Sequence, residues 1–239
     1  MRKVIILQAR MASSRFPNKV LAELSGKPMI AHIIERLKAS KLADELNVAI
    51  PTEPSEDELA RVLEGYDVTV SRGHPTDVLG RYIQAAYQTG ANVIVRATAD
   101  NPFVDPVNLD RQLQAIMDNP ELDYVITEGL PVGITVETFT LKTLEKLDFL
   151  ARSNNHREHV TLYLREHPGP FVTQSLHAPA ELDRPGLRLT VDTPHELAMA
   201  QKLYDKVYQP GGIADLAAAI RVCDENPAEY EQVATAATA

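Results

Sequence analysis

The stretch Val4–Lys19, VIILQARMASSRFPNK, carries an apolar tetrapeptide straight into a polar loop that contains no glycine. Four consecutive apolar residues suit a strand covered on both faces, as in a parallel sheet flanked by helices. The loop holds the place of a strand-to-helix phosphate loop, but Arg10, Arg15 and Lys19 stand where glycines are expected. Its spacing is neither that of a Walker A motif nor that of a dinucleotide fingerprint. By itself it reads in two ways: a solvated loop with scattered cations, or a cradle for phosphate. Arginine offers two-pronged bonds to phosphate, and lysine a point charge. Ser13 and Ser14 add hydroxyls in a short turn whose amides also suit an anion.

Outward from this stretch, strand and helix patterns alternate. Strands are expected at Leu46–Ile50, Val68–Val70, Val93–Val95, Tyr124–Ile126 and Ile134–Phe139, with late strands at Phe171–Ser175 and Leu187–Val191. A helix starts near Pro28, with Met29, Ile30, Ile33, Ile34 and Leu37 at helical spacing. Ser55-Glu56-Asp57-Glu58 reads as a capping box for a helix to about Glu64. Further helices are expected over Asp77–Gln88, from Asp105-Pro106, over Leu141–Leu150 and over Asn155–Glu166. Thr193-Pro194-His195-Glu196 combines an N-cap, a first-turn proline and a third-position glutamate, and launches a helix to Tyr208. This order predicts one α/β domain over residues 1–239, with a mostly parallel sheet between helices and some later strands antiparallel. The tail from about 228, with alanine-rich Ala234–Ala239, is expected to fray.

The chain carries 24 Lys+Arg against 33 Asp+Glu, a formal net charge of -9. That balance argues against a general nucleic-acid or anionic-membrane binder. A small anion remains compatible with it, provided a few cations gather locally. Cys223 is the single cysteine, which excludes an intrachain disulfide and suits a reducing cytoplasm. No signal-peptide pattern or membrane-span length is read, so the expectation is a soluble cytoplasmic protein.

Ligands of open α/β sheets sit beyond the carboxyl ends of the strands. Four segments deliver polar groups there: Gln8–Lys19, Ser71-Arg72, Thr98-Ala99-Asp100-Asn101, and Asp192. Asp100 alone reads as an ordinary turn cap. It also suits Mg²⁺, which takes one or two carboxylates plus phosphate. Asp192 is spare, because Thr193 already serves as the cap, and two carboxylates from separate strands suit a shared metal. In His156-Arg157-Glu158-His159 the two histidines share a helical face at i, i+3. No third ligand has convincing zinc spacing, which leaves a solvated face or recognition of a polar substrate. Taken together, a cation-rich loop at one strand end and carboxylates at two others make a site for metal–nucleotide phosphates.

The run QARMASSRFPNKVLAELSGKPMIAHIIERL, Gln8–Leu37, resembles the N-terminus of the cytidylyltransferases that make CMP-activated sugar acids. Among them, 3-deoxy-manno-octulosonate cytidylyltransferase carries a similar A-R-x-x-S-x-R-x-P-x-K pattern. The family of spore coat polysaccharide biosynthesis protein F is closer still. That resemblance recurs in SRGHPTDVLGRY (Ser71–Tyr82), VRATADNPFVDP (Val95–Pro106), GITVETF (Gly133–Phe139), REHVT (Arg157–Thr161) and LTVDTPHEL (Leu189–Leu197).

It implies a Rossmann-like αβα sandwich of the nucleotide-diphospho-sugar transferase type, with a mixed sheet. It implies nucleotide binding by Gln8, Ala9, Arg10, Ser13, Ser14, Arg15 and Lys19, with Arg72 beside the nucleotide and the loop backbone reading cytosine. Asp100 and Asp192 match the metal-binding aspartates for Mg²⁺, and Arg15, Lys19, Asp100 and Asp192 would carry catalysis. Glu137, His156 and Arg157 would lie near the acceptor. The partners implied are CTP, a sugar acid and a second copy in a homodimer. Three departures stand out: Asn18 where glycine is common, Asp100-Asn101-Pro102 in place of a GDEP-like form, and His195 where an acidic residue is frequent.

The expected reaction is transfer of CMP from CTP to a sugar acid with release of pyrophosphate, in surface polysaccharide or glycan biosynthesis. One rival is a glycosyltransferase of related fold, which would normally show a D-x-D motif that Asp100-Asn101-Pro102 lacks. The other is a nucleotide-binding protein without turnover.

Overall fold

The computed structural model describes residues 1–230, so the expected fraying of Ala234–Ala239 lies outside the described residues. In chain order the elements are β1 (Lys3–Gln8), a two-stranded hairpin β2 (Glu23–Leu24) and β3 (Lys27–Pro28), α1 (Met29–Lys38), β4 (Glu45–Pro51), α2 (Asp57–Leu63) and β5 (Thr69–Gly73). There follow α3 (Val78–Thr89), β6 (Val93–Thr98), α4 (Pro106–Asp118), β7 (Tyr124–Glu128), β8 (Glu137–Thr140), α5 (Leu141–Leu150), α6 (Asn154–Glu158) and α7 (Leu162–Glu166). The chain continues through β9 (Thr173–His177), α8 (Pro194–Val207), α9 (Leu216–Glu225) and α10 (Pro227–Tyr230).

The main sheet has the order β5-β4-β1-β6-β8-β7-β9. Only β8 runs against its neighbours. The sheet is therefore mixed and mostly parallel, with helices on both faces. Alternate residues of β1 enter opposite cores, as a period of two requires. Ile5 and Leu7 pack with Ile30, Ile33 and Ile34 of α1 and Leu109 and Leu113 of α4. Val4 and Ile6 pack with Leu79, Tyr82 and Ala85 of α3 and with Leu144 and Leu147 of α5. The buried Tyr82 hydroxyl donates to Ile6 O and Ala97 O, both at 3.1 Å, and ties α3 to the two central strands. Among the described residues, no helix is long and apolar enough to cross a membrane.

Helix starts follow local chemistry closely. Asp77 Oδ1 accepts Gly80 N–H at 2.9 Å, and Asp105 accepts from Val107 and Asn108. Thr193 Oγ1 accepts Glu196 N–H at 3.2 Å, with Pro194 in the first turn as expected.

Four expectations are corrected. Ser55–Glu58 forms no capping box: α2 starts at Asp57 with no side-chain cap, because Glu56 is drawn into the interior. The helix expected over Asn155–Glu166 is two short ones, interrupted where Thr161 turns its hydroxyl to Glu137 at 2.7 Å. Leu187–Val191 joins no sheet; the strand expected over Ile134–Phe139 begins only at Glu137. The late segment is pinned instead by single bonds, from Val132 N–H to Leu187 O, Leu189 N–H to Val132 O and Val191 N–H to Asp100 O, each 2.8 Å. Gly133 allows that approach: its φ is +96°, and a Cβ there would meet Thr190 N at 2.9 Å. At the end of the described residues, α10 buries Tyr230.

Candidate active site

Beyond the carboxyl ends of β1 and β6 lies a cleft of about 330 Å³. It is walled by the first loop, the start of α3, the end of α6 and Asp192. Gln8, Ala9, Arg10, Ser13, Ser14, Arg15, Lys19, Asp100 and Asp192 all line it, far apart in sequence and together in space. The loop is shaped by Asn18 N–H bonding Met11 O at 3.0 Å. Asn18 itself sits at φ +59°, in the left-handed region. Asparagine is among the few non-glycine residues that tolerate that region, so it stands in for glycine there.

One end of the cleft is a knot of opposite charges. Lys19 Nζ donates to Asp192 Oδ1 at 2.8 Å and to Val191 O at 3.0 Å, and lies 4.0 Å from Asp100 Oδ2. Asp192 Oδ2 receives Arg188 at 2.9 Å and Arg15 at 3.1 Å. Burial alone would raise the Asp192 carboxyl, but the Lys19 bond and the charges of Lys19, Arg15 and Arg188 hold it below the ordinary carboxylate range. Among the described residues, Asp100 Oδ1 is buried and has no hydrogen-bond partner. A buried carboxylate oxygen left uncommitted calls for a cation or a donor. The donor set is all oxygen, which suits Mg²⁺ and not zinc. Among the described residues, no group of three His, Cys, Asp or Glu gathers to hold a metal. A hard cation held by Asp100 and Asp192 would therefore need further oxygens, of the kind a phosphate ligand offers.

The other end runs onto the sheet face under α3. Arg96 and Thr98 point to the same face as Asp100, at a period of two along the β6 direction. Arg96 donates to Glu137 Oε2 at 2.5 Å, and Glu137 Oε1 accepts from Tyr124 at 2.6 Å and Thr161 at 2.7 Å. Burial pushes the Glu137 carboxyl up; the Arg96 charge and the two hydroxyl donors outweigh it, so it stays below its usual value. Glu137 is thus a support beneath Arg96 and does not line the cleft. Gln8 Oε1, Arg81 Nε and Arg96 Nε are buried with no hydrogen-bond partner among the described residues.

Arg72 pairs with Asp57 at 2.7 Å on the surface and does not line the cleft. His156 turns to Glu166 at 2.7 Å, and Arg157 forks onto Asp77 at 2.9 and 2.8 Å and onto Asp148. The residues of that run which reach the cleft are Glu158, 3.6 Å from Arg10, and His159. The shared helical face read for His156 and His159 does not form, because α6 stops at Glu158. Arg81, Arg96, Arg188 and Glu56 were not singled out from the sequence. For Arg96 a signal existed: three polar residues at alternate positions closing a buried strand.

Glu56 is fully buried, and both its oxygens accept Met11 N–H, at 3.1 and 2.9 Å. Burial raises its carboxyl, against backbone bonds from Met11 and Ala12. It clamps the start of the cation loop. Glu56→Ala strands those amides, so chemical denaturation is expected to show a loss of about 1–3 kcal/mol. Nucleotide affinity, read by calorimetry, should fall several-fold with it.

A family model described as cytidylyltransferase matches residues 4–222. Spore coat polysaccharide biosynthesis protein SpsF of Bacillus subtilis is 35% identical over 210 residues, covering 85% of this chain and 86% of that protein. A cytidylyltransferase from Leptospira borgpetersenii superposes with a TM-score of 0.89 at 28% identity, over 97% of this chain and 98% of the other. CMP:2-keto-3-deoxy-manno-octonic acid synthetase, solved with CTP, shares the fold with a TM-score of 0.69 at 19% identity, over 86% of this chain and 99% of its own. With the loop, the sheet order and the match along nearly its whole length, this chain belongs to the cytidylyltransferase family.

Proposed function

We propose that this chain transfers CMP from CTP to a hydroxyl of a sugar acid, releasing pyrophosphate, in the making of a surface polysaccharide or glycan. One observation carries the reading: Lys19 Nζ lies between Asp192 at 2.8 Å and Asp100 at 4.0 Å, so a phosphate-loop cation and both carboxylates converge on one point. The names of the relatives support the nucleotide and the acceptor class.

In this reading Arg15 and Lys19 pair with the outer phosphates and stabilise the charge that builds on departing pyrophosphate. Arg10 and the loop amides hold the α-phosphate and the base. Ser13 and Ser14 add hydroxyl donors at the same loop. The acceptor lies toward Arg96, Thr98 and His159, with its hydroxyl oxygen in line with the leaving pyrophosphate oxygen. A bond from that oxygen to the α-phosphorus forms as the α–β bridge breaks; pyrophosphate leaves with the electrons of that bond, and the hydroxyl proton passes to solvent. Asp100 and Asp192 would hold Mg²⁺, which when bound supplies Lewis-acid polarisation of the α-phosphate and lowers the pKa of the hydroxyl. Much of the rate then comes from positioning and preorganised charge.

The test is a pyrophosphate-release screen crossing four nucleoside triphosphates with a panel of sugar acids and phosphosugars, with and without EDTA. Pyrophosphate release with CTP and a sugar acid, abolished by EDTA, is the expected result. Release of a nucleoside diphosphate from a sugar nucleotide, or CTP binding with no product across the panel, overturns it.

A further inference from the structure

Asp192 has more cationic neighbours than a phosphate loop accounts for. Lys19 and Arg15 belong to the loop, but Arg188 comes from the late segment behind the carboxylate and is not among the residues lining the cleft. Its guanidinium bridges Asp192 Oδ2 at 2.9 Å and Glu196 Oε1 at 3.4 Å. Glu196 Oε2 in turn accepts Asp192 N–H at 2.7 Å and the Thr193 hydroxyl at 3.0 Å. Arg188 and Glu196 therefore grip both the main chain and the side chain of Asp192. The glutamate that completes the α8 start does double duty.

Both Asp192 oxygens are thereby engaged. A divalent cation at this carboxylate competes with three positive charges at 2.8–3.1 Å. A triphosphate is a stronger partner for Arg15 and Lys19 than one carboxylate is, and it draws those two away. Arg188, fixed behind, stays. Without it, Asp192 would face the incoming phosphates as a half-buried, unbalanced anion.

We propose that Arg188 is the charge-balancing partner of Asp192: it keeps this carboxylate neutralised while Arg15 and Lys19 turn to a triphosphate. Divalent cation and triphosphate then bind with positive coupling. This rests on the metal–nucleotide reading above. The coupling is reciprocal, so it is measurable from either ligand.

The experiment is calorimetry on the full chain, wild type and Arg188→Gln, with MnCl2 alone, with CTP in EDTA, and with CTP in excess Mg²⁺. Removing Arg188 takes away one competitor for the metal and one neutraliser for the phosphates. Mn²⁺ alone should bind the variant about 10-fold tighter, and CTP in EDTA about 10-fold weaker, with affinity largely restored in Mg²⁺. Opposite signs are the signature, because a merely misplaced Asp192 weakens both ligands. Arg188→Lys keeps the charge but loses the fork, and should show the same pair of shifts at smaller size. That keeps the question decidable if the glutamine variant does not fold. Shifts of the same sign, or no shift, overturn the role of Arg188. A wild type that binds no CTP even in Mg²⁺ instead removes the underlying site, a result distinct from the first.

Discussion

Asp100→Asn and Asp192→Asn are each expected to cut CTP turnover by about 10³-fold or more, with the fold intact by circular dichroism. The two should differ in stability, and the structure says why. Among the described residues Asp100 Oδ1 has no hydrogen-bond partner, and Lys19 lies 4.0 Å from Oδ2. Replacing it removes no close bond, so the change in unfolding free energy should stay within about 0.5 kcal/mol. Asp192 accepts from Lys19, Arg15 and Arg188. Its folded pKa is depressed, so its contribution exists above the ordinary carboxylate pKa and fades as pH falls through the folded value. Asp192→Asn should thus lose about 1–2 kcal/mol at pH 7, a loss that shrinks in acid. Steady-state pyrophosphate release at saturating Mg²⁺ checks the first part, and urea melts at pH 7 and pH 3 check the second. Full activity of either variant would remove the proposed metal pair.

The largest stability effect should come from Arg96→Met. It leaves Glu137, 7% exposed, with two hydroxyl donors and no nearby bonded cation. Removing one partner of a buried ion pair costs about 3–5 kcal/mol, which for a chain of this size lowers the melting temperature by on the order of 10 °C. The double variant Arg96→Met with Glu137→Leu should recover much of it, since the stranded charge is gone. The pH dependence follows from the sign of the shift. In the wild type the Glu137 carboxyl sits below its usual value, so the pair stabilises above that value and loses its effect as pH falls through the folded pKa. In the variant burial is no longer outweighed, the carboxyl rises, and protonation relieves the penalty. The gap in melting temperature should therefore narrow from pH 7 toward pH 4. Equal melting temperatures at pH 7 would mean that the pair does not carry this charge.

Element starts were readable where a side chain bonds its own neighbours, as Asp77, Asp105 and Thr193 do. Ser55–Glu58 has the same local pattern and failed, because Glu56 had a better partner 45 residues away in Met11. Arg72, His156 and Arg157 were read as site residues from their place in motifs. Each pairs with a carboxylate outside the motif that holds it: Asp57, Glu166 and Asp77.

By itself the sequence determined the α/β order, the parallel core strands and the ends at which Lys19, Asp100 and Asp192 would emerge, since those depend on periodicity and on strand direction alone. The tertiary structure alone decided that Arg188 and Glu196 hold Asp192, that Glu137 lies beneath Arg96, and that Glu56 clamps the loop. Charged side chains reach several ångströms and choose among partners brought close by folding, and no spacing along the chain encodes that choice.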